Sequence, residues 1–159
     1  MIRRPPRSTQ GVSSAASDVY KRQVIEELGL TDCVSWVHGV SDDRIVELYS
    51  EAQIAVVPSL YEGFSLPAIE AMSCGVPLVT TTGGALPEVA GPHDETCFQV
   101  PPGDSEALAS MIGKVLDSSE SRSRVGENGR QRFIENWSWH HTALRTVEQY
   151  HSLLAESKG

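Results

Sequence analysis

Two glutamates, Glu62 and Glu70, lie eight positions apart on either side of a junction between a loop and a helix. A carboxylate can accept two hydrogen bonds from a vicinal diol, and riboses and hexoses both carry such diols. The backbone N–H groups at a helix N-terminus suit an anion, aided by the helix dipole. A ligand with a sugar, a diphosphate and a ribose in succession would match Glu62, the helix N-terminus and Glu70 in turn. This pattern predicts a site for a nucleotide-sugar.

The residues around the two glutamates fit such a site but also have simpler interpretations. Gly63 lets the backbone approach a ligand closely, and the N–H groups of Ser65 and Leu66 begin the helix. Ser65 is equally suited to cap that helix. Glu62 is otherwise a solvated loop residue, and Glu70 a first-turn carboxylate favoured by the helix dipole. Gly83 and Gly84 are either turn residues or part of the site.

Strands and helices alternate along the chain from Val24 onwards, which positions this loop. Apolar and β-branched runs predict strands, and caps with helical periodicity predict helices. The predicted strands are 33–38, 54–57, 77–80 and 97–100. A first helix is predicted to end near Leu28, a second to follow Ser41, a third to span about 67–74 and a fourth to follow Asp104. Two more helices are predicted at the end of the chain, the last beginning after Ser138. The fold class is therefore α/β, a doubly wound parallel sheet of Rossmann-like type. In such sheets ligands bind at the carboxyl ends of strands, so the site is expected after strand 54–57, which we predict to be covered on both faces.

The chemistry-bearing segment resembles family 4 of the retaining glycosyltransferases with the GT-B fold. That family carries two glutamates separated by seven residues in EGFGLPxxEAMAxGxPV, and this chain has EGFSLPAIE over 62–70, then AM at 71–72 and GVPL at 75–78. Further matches are Gly39-Val40, Gly83-Gly84 with Pro87-Glu88, and Ser138-Trp139. The resemblance extends from Val24 to about Leu154 and corresponds to part of a C-terminal, donor-binding domain.

The resemblance implies a role for each site residue. Glu62 is the catalytic residue that contacts the donor sugar near its reacting carbon, and Glu70 holds the ribose hydroxyls. The backbone of Gly63, Phe64, Ser65 and Leu66 binds the diphosphate and sugar hydroxyls, Val40 and the following residues to Arg44 lie near the base, and Gly83 and Gly84 complete the donor site. The donor is a UDP-, GDP- or ADP-linked sugar, transferred from its front face with retention. No metal ion and no cofactor are implied.

Two departures from the family pattern predict a limited activity. Ser65 replaces the more usual glycine, and the arginine and lysine that clamp the leaving group in the family have no match after Val24. Arg44 is the only cation near the site. A preceding acceptor-binding domain is also expected, and this sequence does not contain it. We therefore expect the chain to show no appreciable transferase activity alone. The alternative is a non-catalytic nucleotide-sugar-binding module.

Charge and lysine positions argue against two other classes of protein. The net charge is -8, and Arg44 is the only basic residue between Arg22 and Lys114. A nucleic-acid surface needs clustered cations, which this stretch lacks. A pyridoxal-phosphate enzyme of the same fold needs a lysine for the Schiff base, but Lys21, Lys114 and Lys158 are remote in sequence from the two glutamates.

The chain is predicted to consist of three segments. Residues 1–23 are basic and rich in Pro and Ser, and they are expected to be a non-native or disordered tail, since they resemble translated sequencing-adapter read-through. Residues 24–136 form the nucleotide-sugar-binding domain, incomplete at its start. Residues 137–159 form a helix that would cross back to the acceptor domain.

Cysteine spacing and hydropathy predict where the protein resides. Three cysteines, Cys33, Cys74 and Cys97, lie far apart in sequence, which suits a reducing compartment. The start has no apolar core of a signal peptide, and no apolar run reaches the roughly 20 residues of a membrane span. We expect a cytoplasmic protein, with peripheral membrane association through the acceptor domain. None of the five histidines has metal-ligand spacing with cysteine or carboxylates.

Overall fold

The computed structural model describes residues 10–156, with side chains from Val19 onwards. The chain divides into two compact units, residues 1–40 and residues 41–159. In the first unit, helix α1 spans Gln10–Glu27 and a 3₁₀ turn spans Thr31–Cys33. Gly29 closes α1 in the left-handed region at φ 67°, as its position predicted. Residues 1–9 of the predicted tail lie outside the described residues. Residues 10–23 are helical, and whether they are native stays a prediction.

The strand predicted over 33–38 is wrong. Cys33 ends the 3₁₀ turn, and Val34 is extended at φ -117° and ψ 124° without forming a ladder with another strand among the described residues. β-Branched residues favour extended backbone, but a strand also needs a hydrogen-bonded neighbour. In this segment Trp36 instead stacks on His38 with ring centroids 6.1 Å apart, and the Arg22 guanidinium lies 4.6 Å from the Trp36 ring.

The second unit contains the predicted strand–helix alternation and one helix that was not predicted. Its elements are α2 Asp42–Glu51, β1 Ala55–Val57, α3 Leu66–Ser73, β2 Leu78–Thr81, α4 Leu86–Ala90, β3 Phe98–Val100, α5 Ser105–Asp117, α6 Ser119–Asn136 and α7 Trp139–Glu156. Ser41 and Asp104 cap α2 and α5 through their side chains, as expected. Helix α4 is the addition, formed by five residues directly after the glycine turn.

The three strands form a parallel sheet in the order β1-β2-β3, with helices on both faces. Leu78 of β2 packs in a cluster with residues of α3 and α4, and the next residue, Val79, packs with residues of α5 and α6. Because successive side chains of a strand point to opposite faces, this alternation confirms the doubly wound α/β fold. Strand β1 lies at an edge of the described sheet, and Val56 is 37% exposed there. The expectation that both faces of this strand are covered is therefore wrong, because Val57 is buried on one face while Val56 is exposed on the other.

All four arginines of α6 donate to backbone carbonyls of neighbouring segments. Arg122 donates to Val115 O and Leu116 O of α5, Arg124 to Asp94 O, Arg130 to Ser73 O of α3, and Arg132 to Val89 O and Glu88 O of α4. The last carbonyls of a helix have no partner within it and carry partial negative charge, so a guanidinium satisfies them well. These cations therefore hold α3, α4 and α5 in place.

Helix α7 has no buried side chain over its length. Its apolar residues are exposed: Leu144, Val147, Tyr150, Leu153 and Leu154. The predicted contact of this helix with an acceptor domain stays a prediction. None of the described helices is both long and apolar enough to span a bilayer.

Candidate functional site

The site loops begin at the carboxyl ends of β1 and β2, where threonine hydroxyls hold them together. Thr80 Oγ1 donates to the carbonyl of Val57 at 3.1 Å, and Thr81 Oγ1 donates to the carbonyl of Ser59 at 2.5 Å. Thr81 Oγ1 also accepts from the N–H of Gly83 at 3.2 Å. The loop after β1 and the turn after β2 therefore form one hydrogen-bonded assembly at the edge of the sheet where a ligand was expected.

Gly83 and Gly84 allow the turn after β2 to touch the backbone of the loop after β1. A Cβ at Gly83 would lie 2.9 Å from the carbonyl carbon of Leu60, and one at Gly84 would lie 2.9 Å from the nitrogen of Glu62. Gly84 is also left-handed at φ 63°. The N–H of Ala85 donates to the carbonyl of Glu62 at 2.7 Å. The two glycines thus hold the backbone of Glu62 in position, and a direct contact with a donor stays a prediction.

The Glu62 carboxylate is half-buried and is held by one hydroxyl. Ser59 Oγ donates to Glu62 Oε1 at 2.9 Å. Among the described residues, no lysine or arginine forms an ion pair with Glu62 or Glu70. Both carboxylates therefore retain lone pairs that could accept from ligand hydroxyls. Ser59 is a site residue that was not predicted from the sequence, although a hydroxyl residue just after a strand and three positions before a glutamate is a signal for such a contact.

Helix α3 begins with a buried cap and a set of available donors. Ser65 is 1% exposed, and its hydroxyl accepts from the N–H of Ala68 at 3.4 Å. The capping interpretation is therefore correct for the side chain of Ser65. Within the part of the chain that the structure describes, the backbone N–H groups of Gly63, Phe64, Ser65 and Leu66 have no acceptor. No protein acceptor among the described residues competes for these donors, which precede and begin α3.

Glu70 faces a cleft between α2 and α3. Tyr49 Oη lies 3.4 Å from Glu70 Oε2 and 3.3 Å from the carbonyl of Pro67, and its single proton can be donated to either acceptor. Burial raises the pKa of the Tyr49 phenol, and the Glu70 carboxylate raises it further. The cleft has a volume of about 150 Å³ and is lined by Asp42, Ile45, Val46, Tyr49, Glu70, Ser73 and Cys74. The wall opposite Glu70 is thus the start of α2, the segment predicted to lie near the base.

The structure does not bring Arg44 to the wall of this cleft. Its guanidinium lies 2.9 Å from Glu47 Oε2 and 4.0 Å from Glu51 Oε1, both on the same helix. The side-chain hydrogen bond with Glu47 is the main cause that raises the pKa of Arg44. Val40 is the last residue of the first unit. The predicted donor contacts of Val40 and Arg44 stay predictions.

A second cavity lies beside the site at the carboxyl ends of all three strands. It has a volume of about 180 Å³ and is lined mainly by apolar atoms of Pro58, Thr81, Val100, Pro101, Gly103, Asp104, Ser105 and Leu108. Asp104 Oδ1 is engaged in capping α5 by accepting from the N–H of Ala107 at 2.8 Å. Within the described residues, no three His, Cys, Asp or Glu side chains are grouped as ligands for one metal ion.

The fold is a doubly wound α/β sheet whose loops carry the two glutamates at the carboxyl ends of the strands, and comparison with known families identifies it. Residues 15–132 match the family model described as glycosyl transferases group 1. The chain therefore belongs to this family. The match begins inside the predicted N-terminal tail, whose origin stays a prediction.

Individual relatives and solved structures agree with this family. The chain is 45% identical over 133 residues to MMP alpha-(1->4)-mannosyltransferase of Mycolicibacterium hassiacum, covering 84% of this chain and 32% of the relative. It is 32% identical over 128 residues to O-antigen chain mannosyltransferase B of Escherichia coli, covering 80% of this chain and 32% of that protein. The chain thus spans about a third of the length of these relatives.

Solved structures show the same fold. Sucrose-phosphate synthase from Thermosynechococcus elongatus superposes with a TM-score of 0.79 at 35% identity, over 89% of this chain and 35% of the other. The Anabaena protein HepE in complex with UDP superposes with a TM-score of 0.78 over 93% of this chain and 42% of the other. At 24% identity, the second likeness is one of fold alone.

Proposed function

We propose that this chain binds the nucleotide-sugar donor for a metal-independent, retaining glycosyl transfer. The observation that carries the proposal is one constellation on α3 and its preceding loop. Four backbone N–H groups, those of Gly63 to Leu66, have no acceptor among the described residues, and the carboxylates of Glu62 and Glu70 flank them. Donors for a diphosphate between acceptors for two sets of hydroxyls match the order of groups in a nucleotide-sugar.

Each part of the donor has a proposed contact. Glu62 accepts from hydroxyls of the sugar, and the N–H groups at the start of α3 bind the diphosphate. Glu70 accepts from the ribose diol in the α2–α3 cleft, where the phenol of Tyr49 orients its carboxylate at 3.4 Å. The base lies toward the start of α2, whose Asp42 lines the same cleft. The names of the two mannosyltransferase relatives agree with a glycosyl donor.

The chemistry that these residues can support is stabilisation of a departing diphosphate. As the glycosidic bond breaks, negative charge develops on the diphosphate, and pre-oriented N–H groups with the α3 dipole can stabilise that charge. In the front-face transfer that the family resemblance implies, Glu62 contacts the sugar and the acceptor hydroxyl enters on the face of the leaving group. Its oxygen bonds to the anomeric carbon as the sugar–phosphate bond breaks, its proton passes to the departing phosphate, and the configuration is retained.

Transfer by this chain alone is expected to be undetectable. The matched segment covers only 32% of the first relative, and we infer that the remaining part of such proteins binds the acceptor. In addition, the arginines of α6 are engaged by helix carbonyls and Arg44 is paired with Glu47. A product signal well above that of buffer, from the chain with a sugar-nucleotide and any acceptor, would contradict this expectation.

The engaged arginines also support a second candidate, a nucleotide-sugar-binding module that does not catalyse transfer. Among the described residues, Arg44 is paired with Glu47 and Arg132 donates to carbonyls of α4, so in this candidate only the backbone N–H groups and the α3 dipole stabilise a bound diphosphate. The two candidates share the binding site and differ in turnover. Fusing the chain to the acceptor-binding part of a relative and measuring transfer separates them.

The binding proposal is tested by isothermal titration calorimetry. UDP-glucose, GDP-mannose and ADP-glucose are each titrated into the protein, and so are the diphosphates UDP, GDP and ADP. The uridine ligands are measured first because a structure of the same fold contains UDP. We expect Glu70→Gln to weaken both a diphosphate and its sugar conjugate about tenfold or more, because a hydrogen bond to a charged group is lost. Glu62→Gln should weaken only the sugar conjugate.

The matched control for these variants is Glu127→Gln, which changes an exposed glutamate of α6. It should leave every affinity within about twofold, as expected for a surface substitution away from the site. The proposal fails if none of the three sugar-nucleotides binds. It also fails if Glu127→Gln weakens binding as much as Glu62→Gln and Glu70→Gln do.

A further inference from the structure

We propose that Ser59 is a positioning residue that fixes the Glu62 carboxylate for the sugar of the donor, an inference that rests on the proposed function. Ser59 Oγ lies 2.9 Å from Glu62 Oε1. An ionised carboxylate only accepts hydrogen bonds, so the serine hydroxyl is the donor in this pair. Ser59 thus acts on the sugar through Glu62.

Glu62 requires such a partner because its side chain has few others. It belongs to a loop and is only partly buried, and the ion pairs of the described residues do not include it. A free glutamate side chain samples several rotamers, and fixing them costs conformational entropy when a ligand binds. The hydrogen bond from Ser59 restricts these rotamers before the sugar arrives.

The backbone of Ser59 is itself fixed by the neighbouring strand. Its carbonyl accepts from Thr81 Oγ1 at 2.5 Å, and Thr81 Oγ1 accepts from the N–H of Gly83 at 3.2 Å. Glu62 is anchored to the same turn through its own carbonyl, which accepts from the N–H of Ala85 at 2.7 Å. Ser59 is therefore held by the last residue of β2 and Glu62 by the turn that follows it, so the two residues that form the Ser59–Glu62 bond are fixed by one continuous segment.

The geometry also determines what remains for the sugar. With Oε1 accepting from Ser59, the lone pairs of Oε2 and one further lone pair of Oε1 are available to ligand hydroxyls. Two adjacent hydroxyls can then bind in one orientation of the carboxylate plane. The Ser59 bond should accordingly favour the sugar conjugate over the bare diphosphate, which carries no sugar hydroxyl.

Calorimetry on the full chain tests this role. The ligands are UDP-glucose and UDP, or the most tightly bound of the three sugar-nucleotides together with its diphosphate. Ser59→Ala is expected to weaken the sugar conjugate about tenfold while the affinity for the diphosphate stays within about twofold. Ser59→Thr retains a hydroxyl and should restore most of the loss. Ser152→Ala is the matched control, since its hydroxyl donates to the Glu148 carbonyl on α7, outside the site. Circular dichroism confirms that each variant is folded.

A double-mutant cycle keeps the inference testable even if one substitution alters the loop. Ser59→Ala and Glu62→Gln are combined, and their effects on sugar-conjugate affinity should not multiply, because the second change acts on an interaction already lost. Multiplicative effects would overturn the inference, as would equal weakening of the diphosphate and the sugar conjugate. If the unmodified chain binds no sugar-nucleotide, the proposed function fails; if it binds and Ser59→Ala binds equally well, only the role of Ser59 fails.

Discussion

The loops at the carboxyl ends of β1 and β2 and the surface of α6 are held in place by different means. The site loops contact each other through backbone atoms, with Gly83 and Gly84 removing the side chains that would separate them. Helix α6 is attached by long side chains, in particular by Arg130 and Arg132, which donate to carbonyls of α3 and α4. One region depends on the absence of side-chain atoms and the other on extended cationic side chains.

The proposed function requires that this acidic domain still offers an anion site. Arg130 and Arg132 donate to carbonyls near the ends of α3 and α4, and the proposed ligands of a diphosphate are instead the neutral N–H groups at the start of α3. The two regions meet at α4, which follows the glycine turn and ends at the carbonyls bound by Arg132. Substitutions in the two regions should therefore have separable effects on binding and on stability.

The largest effect is expected at Gly84. In Gly84→Ala a Cβ would lie 2.9 Å from the nitrogen of Glu62 while the backbone stays left-handed at φ 63°. Strain and overpacking together should lower the free energy of unfolding by about 3 kcal/mol and abolish donor binding. Urea denaturation measures the first effect and calorimetry the second.

The matched control is Gly113→Ala in α5, where a Cβ would meet nothing within 4 Å. Alanine has the higher helix propensity, so this variant should equal the original or gain up to about 1 kcal/mol. If Gly84→Ala is as stable as Gly113→Ala, the two loops are not packed as described, and the site loops do not depend on a missing side chain at Gly84.

A smaller effect is expected at Arg132, and on stability alone. Arg132→Met removes the donors to Val89 O and Glu88 O, so the free energy of unfolding should fall by about 2 kcal/mol. The affinity for a diphosphate should stay within about twofold. Arg145→Met on the exposed helix α7 is the control, with a change of less than about 0.5 kcal/mol. A loss of diphosphate affinity without a loss of stability would assign Arg132 to the site instead.

Trp137 contacts both regions, and its substitution should lower the free energy of unfolding by less than Arg132→Met does. Its indole N–H donates to Val89 O at 3.2 Å, and its ring meets Phe64 edge to face with centroids 5.4 Å apart. Trp137→Phe removes the donor but keeps an aromatic ring, so the free energy of unfolding should fall by about 1 kcal/mol. Trp139→Phe, at a side chain that is 89% exposed, should change it by less than about 0.5 kcal/mol. Equal changes in urea denaturation would show that the contacts of Trp137 contribute nothing.

The smallest effect concerns Cys97, which is buried in the same cluster as α3 and α4. Burial raises the pKa of the Cys97 thiol from 9.0 to about 11. Since the unfolded thiol ionises first, the free energy of unfolding should fall as the pH rises from about 9 to about 11. The expected loss at pH 9.5 is about 1 kcal/mol.

Cys97→Ala should lack this component of the pH dependence, and Cys33→Ala should retain it, because Cys33 is exposed. Urea denaturation at pH 7 and pH 9.5 measures both. Identical pH dependences for the three proteins would mean that the Cys97 thiol ionises as readily in the folded chain as in the unfolded one.

The sequence predicted the alternation of strands and helices because each signal is local. Ser41 and Asp104 cap their helices, and the strand at 77–80 appears as Leu78–Thr81. The strand predicted over 33–38 also rested on a local signal, the strand propensity of its residues, and it is wrong. Strand formation depends on a hydrogen-bonded neighbour, and the propensity of a segment contains no information about one. The exposure of Val56 has the same origin, because the position of β1 in the sheet is a tertiary property.

The sequence by itself determined which residues could recognise a donor, because carboxylates, glycines and a helix start are legible from residue type and spacing. It did not determine how they are held. Several contacts that hold these residues join distant segments or depend on the direction of a side chain. They are the hydrogen bonds from Ser59 to Glu62 and from Tyr49 to Glu70, the contact of Gly84 with Glu62, and the hydrogen bonds of the α6 arginines. Only the tertiary structure decided them, because a hydrogen bond requires a distance and an angle that spacing along the chain does not fix.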